Sequence, residues 1–132
     1  MAKAKEFTVT ILDKPGALGK CCAALAEKGV NIVAFQSYVE EGESLARFIV
    51  DNPAAAKSVF GGLRMIFEET EVAVARLPNG PGAFGKAALK LGEGHINIDY
   101  SYCGWEPGAV NGMLVFGVDN LTKASALLDE LQ

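Results

Sequence analysis

The sequence predicts an α+β protein in which one small β-α-β-β-α-β unit is written twice, and three observations carry that reading. First, DKPGALGK at residues 13–20 returns as NGPGAFGK at residues 79–86, a shift of 66 in a chain of 132. At that shift residues 13–38 pair with 79–104 without a gap, and nine of the 26 pairs are identical. They are Pro15/Pro81, Gly16/Gly82, Ala17/Ala83, Gly19/Gly85, Lys20/Lys86, Leu25/Leu91, Glu27/Glu93, Asn31/Asn97 and Ile32/Ile98. Unrelated stretches would share about two at ordinary residue frequencies. Second, the apolar pattern switches between a period of two and a helical period in the same order in each half. Third, half the residues are hydrophobic and 21% are charged, which suits a packed domain and excludes a disordered chain.

The elements follow in order. FTVTIL, residues 7–12, alternates and is rich in β-branched residues, as a strand requires. Pro15 is expected at the first position of a helix, where its fixed φ and missing N–H cost nothing. In GALGKCCAALAEK, Ala17, Leu18, Cys21, Cys22 and Leu25 then share one helical face, and Gly29 supplies the stop. VNIVAFQSYV (30–39) and SLARFIVD are strands of a hairpin turned by EEGE. Asn52-Pro53 reads as an N-cap with Pro behind it, opening the helix PAAAKSVFGGL. RMIFEE, residues 64–69, is a fourth strand.

The second half repeats this grammar. VAVARL (72–77) is a strand, PGAFGKAALKL a helix, and HINIDYSY and NGMLVFGV a hairpin around the longer loop CGWEPGAV. Beyond that loop the shift becomes 68, matching Val50-Asp51-Asn52 with Val118-Asp119-Asn120 and Leu63 with Leu131. Asp119-Asn120 therefore reads as a helix start and not as half of a catalytic pair with Asp99. Domain boundaries fall at 1–69 and 70–132. The element order fits a ferredoxin-like sandwich duplicated in tandem, each antiparallel sheet carrying its helices on one face. The second unit has no residues for its last strand, so its first strand needs a partner, by swapping or across a dimer axis. Apolar residues on both sides of the strands (Val33, Phe35 and Val39; Met113 and Val115 against Leu114, Phe116 and Val118) predict that the helix-free faces are covered, half on half or chain on chain.

Composition narrows the function classes. Net charge is −4, with eight Lys/Arg and seven Asp/Glu in residues 1–66 against four and nine in 67–132. Such a chain is a poor phosphate binder, so nucleic acid is not an expected partner, and Tyr100 and Tyr102 are not read as a base-stacking pair. No apolar run approaches the ~20 residues of a membrane span, and no signal core follows MAKAKEFTVT, so the cytoplasm is the expected compartment. Cys21, Cys22, Cys103 and the single His95 form neither a disulfide framework nor a zinc pattern, and no metal or cofactor is expected. Trp105, in the long loop, could lid a ligand, but anchoring the loop or making a subunit contact is the stronger expectation.

The repeated turn has its own chemistry. A strand that passes through Pro-Gly into a helix presents unpaired N–H groups and the positive end of the helix dipole, which suits an anion. Glycine at 16 and 82 allows close approach. Asp13 could take an ammonium group while the N–H groups take a carboxylate, which together describe a free amino acid; the plainer alternative is that Asp13 caps the helix. Asn31 and Asn97 open the second strand of each unit and either complete such a pocket or shape the turn.

DKPGALGKCCAALAEKGVNI and NGPGAFGKAALKLGEGHINI resemble the D-x-P-G-x-L…G-V-N-I pattern of ACT domains, small ferredoxin-like regulatory modules that commonly bind amino acids. The resemblance covers nearly the whole chain and is closest to stand-alone tandem ACT proteins. It implies a non-enzymatic regulatory protein with effectors at domain interfaces. The implied ligand residues are Asp13, Gly16, Ala17, Leu18, Asn31 and Ile32, and in the second copy Asn79, Gly82, Ala83, Phe84, Asn97 and Ile98. Asn79 replaces the carboxylate, so the first site is expected to bind a free amino group better. A homodimer through sheet packing or edge-strand pairing is expected. The alternatives are an assembly module without ligand and an acylphosphatase-like hydrolase, which would need an arginine where the turn offers only Lys14 and Lys20.

Overall fold

The structure, a computed structural model, describes residues 2–132. The elements are β1 (Lys3–Ile11), α1 (Ala17–Glu27), β2 (Ile32–Glu40), β3 (Glu43–Val50), α2 (Pro53–Gly62), β4 (Phe67–Pro78), α3 (Ala83–Glu93), β5 (Ile98–Tyr102), β6 (Asn111–Val118) and α4 (Leu121–Asp129). The two strands expected at 64–69 and 72–77 are one continuous β4, which begins only at Phe67, so residues 64–66 of the expected first strand lie in the loop ahead of it. Glu69-Thr70-Glu71 between the two expected strands holds no glycine or proline to end the run. By its contacts the chain divides into a first unit, Lys5–Thr70, and a second made of residues 2–4 with Glu71–Gln132. No described helix is long and apolar enough to cross a membrane.

In the first unit the sheet runs β2-β3-β1-β4. Phe7, Val9 and Ile11 face Phe48, Ala46 and Ser44 across the β1–β3 pair, and α1 and α2 cover this side with Cys21, Leu25, Ala56, Val59 and Phe60. Aromatic rings tie the layers together. Phe60 meets Phe7 at 5.4 Å, Phe48 at 5.8 Å and Phe67 at 5.7 Å between ring centroids. The register also corrects the expectation for the helix-free face. Phe35 lies opposite Phe48 on the core side, 5.0 Å between centroids, and Val39 shares that side. The other side carries Glu6, Thr8, Tyr38 and Arg47, whose guanidinium donates to Thr8 Oγ1 at 3.2 Å and Tyr38 Oη at 2.6 Å and pairs with the fully buried Glu6 at 3.4 Å. On β2 it is Tyr38, and not Phe35 or Val39, that reaches that face because the alternation slips by one position between Ile32 and Ala34, where the strand bulges.

The second unit repeats the plan with a smaller core. Ala73, Ala75 and Leu77 stand where Phe7, Val9 and Ile11 do, Leu128 stands for Phe60, and Leu114 and Phe116 line β6. Its opposite face is apolar, as expected, with Val72, Val74 and Val115 buried. The open edge of β4 is filled by the start of the chain. The Val74 N–H donates to the Ala2 carbonyl at 3.0 Å, and Ala2 is fully buried in this core. Farther along, the Arg76 N–H donates to the Gln132 side-chain oxygen at 2.6 Å. In the first unit the equivalent Thr10 N–H donates to the Ile66 carbonyl, just ahead of β4, at 2.9 Å. A side-chain amide thus does for Arg76 what a backbone carbonyl does for Thr10.

Candidate functional site

Each Pro-Gly turn is a β-turn that delivers the chain into a helix. In the first, the Ala17 N–H reaches the Lys14 carbonyl at 3.3 Å across Pro15-Gly16, and Gly16 sits at φ 88°, ψ −15°. In the second, the Ala83 N–H reaches the Gly80 carbonyl at 3.3 Å, with Gly82 at φ 86°, ψ −4°. Pro at the second turn position and a left-handed glycine at the third are the requirements of a type II turn. Pro15 therefore precedes the helix; Gly16 occupies the cap and Ala17 is the first helical residue. No side chain caps α1 or α3, whereas Asn52 and Asn120 cap α2 and α4 by accepting from the Ala55 and Lys123 N–H groups, each at 3.1 Å. Asp13 is exposed, makes no hydrogen bond or ion pair among the described residues, and is not a cap.

The register separates residues that the sequence had grouped. The end of β1 at Ile11 lies beside Ser44, while Ile32 lies beside Val50. These levels are six residue steps apart along β3, about 20 Å at ~3.3 Å per residue. Asp13, Gly16, Ala17 and Leu18 thus stand at one end of the first unit and Asn31 and Ile32 at the other. The reason is topological: β2 runs parallel to β1, so its start is at the far end from the turn that follows β1. Asn31 is tied locally, its N–H donating to Asp51 Oδ1 at 2.9 Å and its carbonyl accepting from the Asp51 N–H at 3.1 Å. The second unit repeats the separation, with Asn79, Gly82, Ala83 and Phe84 at the end of β4 marked by the Pro78–Asn111 pair and Ile98 beside Val118. The Asn97 N–H donates to Asp119 Oδ1 at 3.2 Å, and its amide donates to Asp99 Oδ1 at 3.0 Å. Asp51 and Asp119 are the shared partners of the repeated asparagines.

What the first turn does border is a cleft of about 480 Å³ between β1–α1 and the loop from α2 to β4. Leu12, Leu63, Met65 and Ile66 give it apolar walls, and Lys14, Lys20 and Arg64 bring positive charge. Cys21 lies at its base, its thiol donating to the Met65 sulfur at 3.8 Å. Burial, reinforced by neighbouring Cys22, pushes the Cys21 thiol up to about 11. Arg64, Met65 and Ile66 were not legible as site residues. RMIF reads as plain strand, and only the return of the chain after α2 brings it against the first turn.

The second turn has different surroundings. The Asn79 N–H donates to the Val110 carbonyl at 2.9 Å and its side-chain amide to the Glu106 carbonyl at 3.3 Å, so the long hairpin loop is tied down over the turn. Trp105 anchors that loop as expected: its indole lies flat on Gly112, where a Cβ would collide with the ring. No group of three or more His, Cys, Asp or Glu that could hold a metal is present among the described residues.

The duplicated turn, the left-handed glycine at each helix start and the two sandwiches describe one module used twice, and a family model described as an ACT domain pair matches residues 2–132. The chain belongs to the ACT domain pair family. ACT domains are regulatory modules, and similar solved structures share the fold over most of their length. A protein of Bacteroides thetaiotaomicron, BT0572, is 24% identical with a TM-score of 0.87, the match covering 98% of this ACT pair and 89% of that chain. The regulatory subunit of aspartate kinase from Thermus thermophilus, in ligand-free form, is 17% identical with a TM-score of 0.68, covering 98% and 91%. Its counterpart from Thermus flavus is 16% identical with a TM-score of 0.65, covering 98% and 92%. No curated protein matches the sequence.

Proposed function

We propose that this ACT pair is a non-enzymatic regulatory protein whose first turn binds a small effector, an amino acid. The observation that carries the reading is the uncapped start of α1 behind Gly16, with the unengaged Asp13 carboxylate beside it. The N–H groups of the first helical turn and the helix dipole favour the ligand's carboxylate, and Asp13 accepts its ammonium. The second turn lacks a carboxylate and is held by its own loop, so the first site is the working one. The regulatory role of the aspartate kinase subunits supports the same reading by analogy of fold.

Non-enzymatic action agrees with the cleft's chemistry. Its one thiol, Cys21, is pushed up to about 11 by burial and so is not held as a thiolate nucleophile near neutrality. A second reading, assembly, draws on the edge strand β2. Val33, Phe35 and Val39 are exposed there at 51%, 38% and 61%, and an antiparallel pairing with a second copy would cover them. The two readings combine if the effector favours one assembly over another. The test is a thermal-shift panel of the amino acids. Binding at 100 times Kd stabilises by about 2.7 kcal/mol, enough to raise Tm by several degrees. One clear response, lost in Gly16→Val and kept in Gly82→Val, is the expected result; a flat panel refutes an amino-acid effector and leaves assembly or a ligand of another class.

A further inference from the structure

The cleft beside the first turn is one-sided in charge, and this says more about the ligand than the turn does. Lys14 enters from the turn, Lys20 from α1 and Arg64 from the loop after α2, and no acidic side chain lines the space. None of the three forms an ion pair among the described residues, whereas Lys3, Lys5, Arg47 and Lys90 do. The walls are unusual as well. Leu12, Leu63 and Ile66 are exposed at 69%, 51% and 73%, and all three converge here. Scattered exposed leucines need no explanation, but three on one concavity with Met65 beside them form an apolar patch of the kind that marks binding sites.

We propose that this cleft binds a carboxylate carrying a branched or aromatic apolar body, and that it does so without requiring an ammonium group. The inference rests on the reading of the first turn as a small-effector site, names the chemical class it takes, and replaces the pairing of an ammonium with Asp13 in that reading by contacts to the carboxylate and the apolar body alone. Three like charges around one concavity repel each other, and an entering anion relieves that repulsion while the apolar body covers Leu12, Leu63 and Ile66. Arg64 is the group suited to grip a carboxylate through two parallel N–H donors. A free ammonium finds no acceptor charge on the walls, because Asp13 lies outside them. The space, about 480 Å³, falls within the usual range of small-ligand sites.

The experiment uses the full chain and two matched series in calorimetry: leucine, 4-methylpentanoate and 3-methylbutylamine; phenylalanine, 3-phenylpropanoate and 2-phenylethylamine. The expected result is that in at least one series the carboxylate without an ammonium binds within about threefold of the amino acid while the amine does not bind. Arg64→Asn and Lys20→Gln should each weaken it by roughly tenfold, and Asp13→Asn by less than about twofold. Asn tolerates the left-handed backbone of Arg64 (φ 56°), and Ile66→Thr, which keeps a β-branched side chain, is a second variant that should weaken binding if Arg64→Asn fails to fold. Amino acids that bind while their deaminated partners do not would overturn this inference and leave the Asp13 reading standing. No binding by any amino acid or carboxylate would overturn both. An oligomer that Ile66→Glu dissolves, with no carboxylate bound, would also overturn it, because the cleft would then belong to a second copy.

Discussion

The two turns have nearly the same backbone and opposite surroundings. Both close a β-turn over Pro-Gly, both place a glycine near φ 87° at a helix start, and neither helix is capped by a side chain. Yet the first borders an open apolar cleft, while the second is held by its own hairpin loop through Asn79. The difference comes from what returns to the turn. In the first unit the chain comes back after α2 as Arg64-Met65-Ile66 and builds a wall; in the second unit that strand position is taken by residues 2–4 and the Gln132 amide. Duplication copies the local grammar, and the neighbouring segments decide whether a copy can hold a ligand.

The largest effect should come from the cores. Phe60→Ala removes the ring that contacts Phe7, Phe48 and Phe67 and should cost about 3–5 kcal/mol, read from the midpoint of urea unfolding. Leu128→Ala, at the equivalent place in the alanine-rich second core, should cost less, roughly 2–3 kcal/mol. An equal cost would mean that the smaller core is no looser than the aromatic one. Next comes the borrowed strand. Deleting residues 2–4 removes the acceptor of the Val74 N–H and the buried Ala2, so that amide should exchange with solvent at least about tenfold faster while first-unit amides keep their protection.

Gly16→Ala and Gly82→Ala should each cost about 1–2 kcal/mol, for the backbone alone, since neither Cβ would meet another atom within 4 Å. Only the first should also weaken the response to effector, which separates the two turns in one pair of variants. His95 occupies at φ 59° the left-handed position that Gly29 holds after α1, so His95→Gly should stabilise the second unit by up to about 1 kcal/mol. The smallest effect is chemical. With its thiol pushed to about 11, Cys21 should alkylate far more slowly at pH 8 than exposed Cys103, the gap narrowing as pH rises toward 11. Fast modification of Cys21 at pH 8 in the folded protein would show the base of the cleft to be open to water.

Much of this was legible beforehand. The helix stop at Gly29, the Asn52 and Asn120 caps and the element order all rest on local backbone chemistry, which a sequence records directly. Pro15 stands two residues ahead of its expected place because Pro-Gly serves both a helix start and a type II turn, which differ in the ψ of the proline and the φ of the glycine. Asn31 and Asn97 were placed close to the turns on the element order and because they recur with them, although a second strand parallel to the first starts at the opposite end from that turn. Recurrence reports common descent of a segment, however, not nearness of its two ends. The polar face around Arg47 was hidden by one slip of register in β2, which moves Phe35 to the core side.

By itself the sequence determined the duplication, the ferredoxin-like units and the left-handed glycines, since each depends on residues within a few positions of one another. Only the tertiary structure decided that residues 2–4 complete the second sheet, that Asn31 stands far from Asp13, and that Arg64 and Ile66 face the first turn. Those outcomes depend on which distant segments are brought together, and the free energy that selects them is spread over the whole packed core.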